Sequence, residues 1–301
     1  MLHIDPVLQV PDVSVREEPV AAGIFHRPMG QLLCLSRGLK PSDVERVLAY
    51  QQRHGGRFGE VAIGLGLATE EDILEVLARQ FDYPYARSID DDPVSDELVC
   101  ARNPLGADAQ SFRELRTELL SGVLATSAPR ALAVVSARPG EGRSYVAANL
   151  AIAFAQLGGR TLLVDADMRN PRQHALFGSS SAMGLSQLLC GRASRDVVQQ
   201  APRIPGLFVL GAGPIPPNPT ELLQRAAFSD LLREWQETFD HVVLDTPAAS
   251  CGPDARVASA AAGAALVVAQ PQQTRVADLQ KLLGHVGKGH AALAGVVMNE
   301  H

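Results

Sequence analysis

The sequence predicts an α/β protein with a doubly wound, mostly parallel sheet and a small helical domain in front of it. Six short apolar runs in the C-terminal two thirds show no polar alternation, which is typical of strands buried on both faces of a parallel sheet. Segments with helical spacing, such as residues 220–238 and 274–287, separate these runs, and this order is typical of a doubly wound sheet. The predicted strands are residues 131–136, 161–165, 207–211, 241–245, 264–269 and 293–298.

Three regions are predicted before the sheet begins. Residues 1–22 contain three prolines, several charges and no sustained period, so we expect a mobile tail. Residues 23–88 have the pattern of a small helical domain. Residues 89–109 are acidic and contain prolines, which predicts a linker to the α/β domain of residues 110–301.

An internal repeat marks the helical domain. Its copies begin at Arg27 and Arg57 and end at Gln51 and Gln80, and the first copy carries a one-residue insertion with a compensating deletion. The repeat resembles the N-terminal domain of type II secretion and pilus-assembly ATPases, whose pattern is R-L-G … G-L … L-x-x-x-L-x-x-Q. Some of those domains bind cyclic di-GMP through the arginine and main chain of each repeat. The resemblance therefore implies either a cyclic di-GMP site at Arg27 and Arg57 or a module that docks another protein.

A glycine-rich turn between the first predicted strand and its helix indicates a phosphate-binding P-loop. The segment Ala137-x-x-x-x-Gly142-Arg143-Ser144 is close to the pattern G-x-x-x-x-G-K-[ST]. Main-chain N–H groups of such a turn, together with the N-terminus of the following helix, attract phosphate. Arg143 stands where the pattern has lysine, and its planar guanidinium leaves the geometry of a reacting γ-phosphate open.

Acidic residues end two further predicted strands. Asp165 and Asp167 follow one strand and Asp245 ends another, and buried carboxylates at strand ends need a cation. Mg²⁺ on a nucleotide fits this requirement, with Ser144, Asp165 and Asp245 as the metal-binding set and Asp165 also able to orient or deprotonate an acceptor hydroxyl. We therefore expect ATP or ADP with Mg²⁺. The alternative is that these residues only cap the following helices.

Composition excludes several other classes of protein. A net charge of −6 argues against general affinity for nucleic acids. The longest apolar stretch, residues 258–269, is too short to span a bilayer, and no signal-peptide pattern is present, so we expect a cytoplasmic protein without direct membrane insertion. The four cysteines are scattered without a C-x-x-C pair and are expected to be free thiols.

A series of motifs in fixed order resembles the bacterial tyrosine kinases of exopolysaccharide synthesis, the cytoplasmic partners of chain-length determinant proteins. The resemblance covers residues 110–301, and the N-terminal domain together with the loop arginine is similar to the EpsG-type subgroup. The motifs are the P-loop, Phe112-Arg-Glu-Leu-Arg-Thr117, Leu162-Leu-Val-Asp-Ala-Asp-Met-Arg-Asn-Pro171, Gly184-Leu-Ser-Gln-Leu-Leu189, Gly211-Ala-Gly-Pro-x-Pro-Pro-Asn-Pro-Thr-Glu-Leu-Leu223 and Val242-Val-Leu-Asp-Thr-Pro247.

The resemblance implies roles for particular residues. Asp165 and Asp167 fall on the family's second acidic motif and, with Arg143, are the implied catalytic residues; Asp245 falls on the Walker B aspartate. Arg113 and Arg116 lie on a predicted amphipathic helix, residues 110–125, that the family uses to pack subunits into a ring. The implied nucleotide-binding residues are Pro139, Gly140, Glu141, Gly142, Arg143, Ser144, Tyr145 and, against adenine, Asn299.

The resemblance also implies partners and leaves alternatives. It implies a homo-oligomer that acts with a membrane-embedded chain-length determinant and lies at the inner membrane through that partner. The family usually ends in a tyrosine-rich tail, whereas this sequence has only Tyr50, Tyr83, Tyr85 and Tyr145, so the sequence does not identify the tyrosine that would accept the phosphoryl group.

Two alternative functions remain. One is a MinD/ParA-type ATPase, although Arg138 stands where that family has a loop lysine. The other is an inactive pseudokinase that senses a nucleotide or cyclic di-GMP.

Overall fold

The computed structural model describes residues 28–80, 94–126, 130–180, 182–289 and 291–300. Contacts divide the chain into two compact units, with the boundary between residues 82 and 83. No helix among the described residues is long and apolar enough to cross a membrane.

The N-terminal unit is helical, as predicted. Its helices are α1 (Met29–Arg37), α2 (Pro41–His54), α3 (Phe58–Gly64) and α4 (Glu70–Gln80). They share a small core of Leu32, Leu33, Val47, Val61, Ala62, Ile73 and Val76.

Glycines at equivalent positions of the repeat make equivalent helix contacts. A Cβ at Gly30 on α1 would lie 2.7 Å from Val44 Cγ1 on α2, and a Cβ at Gly59 on α3 would lie 2.9 Å from Ile73 Cγ2 on α4. In both copies only a residue without a side chain allows the two helices to approach this closely.

A seven-stranded sheet forms the centre of the C-terminal unit. Its order is β3-β4-β2-β5-β1-β6-β7, and every neighbouring pair is parallel except β3 with β4. All six predicted strands are confirmed to within one residue at each end. The strands are β1 (Ala131–Ser136), β2 (Thr161–Asp165), β3 (Gln199–Gln200), β4 (Leu207–Leu210), β5 (His241–Asp245), β6 (Gly263–Ala269) and β7 (Ala292–Met298).

Helices cover both faces of this sheet and give two hydrophobic cores. The helices are α5 (Val99–Arg102), α6 (Ala107–Ser121), α7 (Arg143–Ala155), α8 (Gln173–Leu176), α9 (Leu185–Leu189), α10 (Pro219–Leu223), α11 (Ala226–Thr238), α12 (Asp254–Ala262) and α13 (Val276–Lys288). Helices α5 to α8 contribute to the core on one face, and α9 to α13 contribute to the core on the other. Every residue of α7 is buried, and from Val146 onward all of its residues except Asn149 are small or apolar.

Part of the predicted linker is instead packed into the C-terminal unit. Leu98 and Cys100 are fully buried in the core beside α7. The Cys100 N–H donates to Asn149 Oδ1 (3.0 Å), and Gln156 Nε2 donates to the Cys100 carbonyl (2.8 Å). The acidic, proline-containing surroundings hide this short apolar run from a composition-based prediction.

Two predicted helices have different bounds in the structure. The helix predicted over residues 110–125 runs from Ala107 to Ser121. The helix predicted over residues 220–238 is interrupted, because Arg225 has an extended backbone between α10 and α11. Leu222 and Leu223 on α10 and four large apolar residues of α11 all contribute to the same core, and the interruption lets both segments reach it.

The two edges of the sheet differ in character. The short β3 carries two exposed glutamines, Gln199 and Gln200. At the opposite edge, β7 exposes Leu293, Val296 and Met298 by 46%, 42% and 54%.

Candidate functional site

The glycine-rich turn follows β1 and leads directly into α7. Gly140 and Gly142 have φ values of 85° and 84°, a left-handed conformation that glycine adopts without strain. Helix α7 begins at Arg143, and the N–H groups of its first turn have no acceptor within the helix. The structure therefore places the predicted loop at a helix N-terminus, as a phosphate site requires.

Glu141 stabilises this turn with its side chain. Its carboxylate is buried and accepts hydrogen bonds from the Arg138 N–H (2.9 Å) and from Thr274 Oγ1 (2.6 Å). Because both oxygens of Glu141 are engaged in this way, only its main chain remains for the predicted contact with a nucleotide.

Asn299 lies against the same turn, directly after β7. Its Nδ2 is 3.4 Å from the Glu141 carbonyl oxygen, and a side chain at position 142 would overlap this amide. The predicted adenine-contacting residue is thus brought beside the phosphate loop although it is far away in the sequence.

A cavity of about 880 Å³ opens beside the loop. This volume is within the range of small-molecule and cofactor sites. It is lined by the predicted nucleotide residues Pro139, Gly140, Gly142, Arg143, Ser144, Tyr145 and Asn299, and by Asp167, Asn170, Arg172, Asp96, Glu97, Val99, Ala248 and Cys251.

Two aspartates end neighbouring strands at the same level. Asp165 on β2 is the register partner of Asp245 on β5, and both residues are fully buried. Burial, and then the charge of Asp245, raise the pKa of Asp165 well above its ordinary value. Burial also raises the pKa of Asp245, an effect that the Arg143 charge and the neighbouring Gln173 and Ser144 side chains oppose.

Asp165 organises the loop that follows its strand. Its Oδ1 accepts the N–H of Asp167 (3.1 Å), and its Oδ2 accepts the N–H groups of Arg172 and Gln173 (both 3.0 Å). The carboxylate is therefore enclosed by main chain. Asp167 lines the cavity, although its Oδ1 accepts the N–H groups of Arg169 (3.1 Å) and Asn170 (2.9 Å) and its Oδ2 accepts the Arg143 guanidinium (2.9 Å).

Arg143 connects the loop with three strand ends. Its guanidinium donates to Ser136 Oγ (2.8 Å) and to Asp167 Oδ2 (2.9 Å), and its Nε lies 3.4 Å from Asp245 Oδ1. The side chain is only 9% exposed. A planar fork with several donors can make these contacts together, which a lysine ammonium on the same backbone cannot.

Gln173 is a site residue that the sequence did not reveal. Its Nε2 donates to Asp245 Oδ2 (2.8 Å) and to the Ser144 carbonyl (3.1 Å), and the residue is fully buried. No motif or spacing marks this glutamine; only the packing of α8 against the loop brings it here.

The oxygen donors at this point fit Mg²⁺ that arrives with a nucleotide. Asp245 Oδ1 is buried and has no hydrogen-bond partner among the described residues. Mg²⁺ usually binds one or two carboxylates together with substrate phosphates and water. The described residues contain no group of three acidic, histidine or cysteine residues that could hold a metal ion by itself.

A second arginine–aspartate cluster, which we call the Arg169 cluster, lies beside the site. Arg169 Nε donates to Asp254 Oδ2 (2.9 Å) and its guanidinium donates to Thr220 Oγ1 (3.2 Å), while Thr220 Oγ1 donates to Asp254 Oδ1 (2.9 Å). Asp254 is fully buried. The cluster ties the loop after β2 to the beginnings of α10 and α12.

Arg113 and Arg116, the residues predicted at an oligomer contact, are not among those that line the cavity. Arg113 donates to Gln110 Oε1 and to the Pro104 carbonyl, and Arg116 donates to the Ala153 carbonyl (2.6 Å), so both arginines have partners within the chain. Arg57 is exposed at the start of α3. Arg27 lies outside the described residues.

Comparisons of the sequence identify relatives. The family model described as cellulose biosynthesis protein BcsQ matches residues 130–286. The putative tyrosine-protein kinase CapB of Staphylococcus aureus is 30% identical over 65% of this chain and 86% of CapB. The tyrosine-protein kinase YwqD of Bacillus subtilis is 32% identical over 67% of this chain and 85% of YwqD. The tyrosine-protein kinase ptk of Acinetobacter johnsonii is longer, and the match covers 28% of its length.

Solved structures agree with these relatives. The chimerical protein CapA2B2 superimposes with a TM-score of 0.65 at 33% identity, over 75% of this chain and 98% of that one. The kinase domain of the Escherichia coli tyrosine kinase ETK gives a TM-score of 0.64 at 30% identity, over 67% and 79% of the two chains. The cell division ATPase MinD of Pyrococcus furiosus has a TM-score of 0.51 at 24% identity, over 58% and 73%, and shares the fold.

Proposed function

This chain belongs to the family of bacterial tyrosine-protein kinases, and we propose that it binds ATP with Mg²⁺ and transfers the γ-phosphoryl group to tyrosine. The observation that carries the proposal is the cavity in which the loop, Ser144, Arg143 and Asp167 meet. The names of its relatives support a kinase, and the resemblance described above supports control of exopolysaccharide chain length and export as the setting.

Different residues bind the phosphates, border the adenine and hold the metal ion in this proposal. Main-chain N–H groups of the loop and of the first turn of α7 bind the phosphates, and Asn299 borders the adenine end. Ser144 and Asp245 hold Mg²⁺, which when bound neutralises charge on the transferring phosphoryl group. Arg143 supplies further positive charge beside the phosphates.

Asp167 is the proposed proton acceptor. It lines the cavity, whereas the enclosed Asp165 positions the Asp167 main chain through the hydrogen bond at 3.1 Å. The tyrosyl hydroxyl passes its proton to the Asp167 carboxylate while its oxygen forms a bond to the γ-phosphorus. The bond between that phosphorus and the β–γ bridging oxygen breaks, and ADP leaves.

Transfer of labelled γ-phosphate from Mg-ATP to a synthetic glutamate–tyrosine copolymer tests this proposal. We expect phosphotyrosine with the wild-type protein and a loss of about 10²- to 10⁴-fold in Asp167→Asn, because general-base catalysis contributes about that much. Binding of a fluorescent ADP analogue is the control and is expected to persist in the variant. Absence of nucleotide binding, or equal transfer by both proteins, would contradict the proposal.

Assembly and partners are part of the same proposal. We propose a homo-oligomer that packs through the helix bearing Arg113 and Arg116, recruited at the inner membrane by a membrane-embedded chain-length determinant. Light scattering on an Arg113→Ala/Arg116→Ala protein tests the proposed oligomer contact, since an unchanged oligomer would contradict it.

For the N-terminal unit, in which Arg57 is exposed, we propose two alternative functions: binding of cyclic di-GMP or docking of another protein.

One observation favours a second candidate, a nucleotide-sensing protein without transfer. Arg143 is held by Ser136 and Asp167. If these contacts keep Arg143 from the phosphates, the protein would bind ADP and ATP equally well and would not phosphorylate the copolymer. Transfer that appears only in Arg143→Lys would establish this second function.

A further inference from the structure

The Arg143 guanidinium lies between one hydroxyl and two carboxylates at the carboxyl ends of the strands, those of Ser136, Asp167 and Asp245. It is in contact with Asp167 (2.9 Å) and near Asp245 (3.4 Å), whose side chains are 3% and 0% exposed. Two buried carboxylates need a compensating cation, and the arginine side chain is charged at every physiological pH. Arg143 is therefore the internal counter-ion of this acidic pair.

The three contacts of Arg143 are of unequal quality. Those with Ser136 and Asp167 are hydrogen bonds, whereas Arg143 Nε and Asp245 Oδ1 are both buried without a hydrogen-bond partner among the described residues. The contact with Asp245 is therefore the least costly of the three to break. It is also the contact with the carboxylate to which the proposed function assigns Mg²⁺.

A free divalent cation and the guanidinium exclude one another at Asp245. Magnesium–oxygen bonds of 2.0–2.1 Å would bring the metal next to a group of the same charge. A nucleotide changes this balance, because its phosphate oxygens offer the planar guanidinium a bidentate partner in place of the carboxylates.

We infer that Arg143 makes the site selective for the metal–nucleotide complex: it blocks a free divalent cation at Asp245 and yields that position only when phosphate groups bind its guanidinium. The inference rests on the proposed nucleotide site and adds to it the order in which metal and nucleotide are accepted. The loop arginine is then a specificity-determining residue.

Manganese binding without nucleotide tests the inference, because Mn²⁺ is a spectroscopic substitute for Mg²⁺. Electron paramagnetic resonance titrations at pH 8 would compare wild type with Arg143→Met and Arg143→Lys. We expect free Mn²⁺ to bind Arg143→Met at least tenfold more tightly than wild type, with Arg143→Lys in between. Arg138→Met is the matched control, because it removes the same charge from the same loop but breaks only the exposed pair with Asp278, and it should behave like wild type.

A second titration distinguishes failure of this inference from failure of the proposed function. Wild type is titrated with Mn²⁺ in the presence of ADP, where we expect binding that free Mn²⁺ does not show. Equal affinity of wild type and both Arg143 variants for free Mn²⁺ would overturn the inference, even if ADP binds normally. Failure of every protein to bind ADP would instead overturn the proposed function. Should Arg143→Met not fold, the comparison of Arg143→Lys with wild type still decides.

Discussion

Two arginine–aspartate clusters in the C-terminal unit are built from the same residue types and are satisfied to different degrees. In the Arg169 cluster, both oxygens of the buried Asp254 accept hydrogen bonds: Oδ2 accepts from Arg169 (2.9 Å), and Oδ1 accepts from Thr220 (2.9 Å) and from Arg169 (3.4 Å). Around Arg143, one oxygen of the buried Asp245 has no hydrogen-bond partner within the described part of the chain. Most buried polar atoms in native proteins have a hydrogen-bond partner, and an exception at a candidate site can mark the place of a bound ion.

The difference separates a structural from a functional use of the same ion pair. A fully satisfied cluster fixes the position of the elements that it joins, here the loop after β2 with α10 and α12. An incompletely satisfied cluster retains capacity for another partner. The comparison predicts that changes in the Arg169 cluster act on stability, while changes around Arg143 act on what the site binds.

The largest effect is expected from Arg169→Met. Removal of Arg169 leaves the Asp254 carboxylate buried without its cation, which typically destabilises a protein by about 3–5 kcal/mol. Urea unfolding of the variant and of wild type measures this difference in the free energy of unfolding. Arg172→Met is the control, because the Arg172–Glu97 pair is 48% and 40% exposed and such pairs contribute about 0–1 kcal/mol. Equal losses in the two variants would remove the distinction between the clusters.

A pH dependence of stability is expected next, from the buried Asp165, which is the register partner of Asp245 and makes no direct contact with Arg143 among those described above. The pKa of Asp165 is higher in the folded than in the unfolded protein, so the folded state binds more protons at pH values between the two. Stability must therefore fall as the pH rises through that interval. Urea unfolding of the ligand-free protein between pH 4 and pH 8 measures this slope. Asp165→Asn should flatten it, and an identical slope in the variant would disprove the assignment to Asp165.

The smallest effect is expected from Thr220→Val. This change removes one hydrogen bond to Asp254 and keeps the shape of the side chain, so we expect a loss of about 1 kcal/mol. Thr117→Val, at an exposed hydroxyl that donates to the Arg113 carbonyl, is the control with a smaller loss. A Thr220→Val protein as stable as the control would mean that the two hydrogen bonds from Arg169 satisfy Asp254 without Thr220.

The sheet could be predicted from the sequence because its strands are buried on both faces. Such strands appear as compact apolar runs, and all six were placed within one residue. The two-residue β3 has no pattern to detect. The packed segment from Leu98 to Cys100 was assigned to a linker, since local composition does not report a contact with α7 that forms between distant parts of the chain.

The site could be predicted in outline for a similar reason. A glycine-rich turn and strand-end aspartates are local signals, and the structure brings Ser144, Asp167 and Asn299 to one cavity. Local signals do not show the orientation of a side chain. The sequence therefore did not show that the Glu141 carboxylate stabilises the turn, and Gln173 was missed because its hydrogen bonds to Ser144 and Asp245 depend on tertiary packing.

The unequal edges of the sheet limit how copies of this fold could polymerise. Strand β3 offers only two residues of backbone and polar side chains, whereas β7 offers seven residues with Leu293, Val296 and Met298 exposed. A fibril can grow by strand pairing only if every subunit has two edge strands able to pair, one with the preceding copy and one with the next. With a single adequate edge, pairing through the sheet stops at two molecules, so an exposed apolar strand here favours a closed pair over an open-ended aggregate.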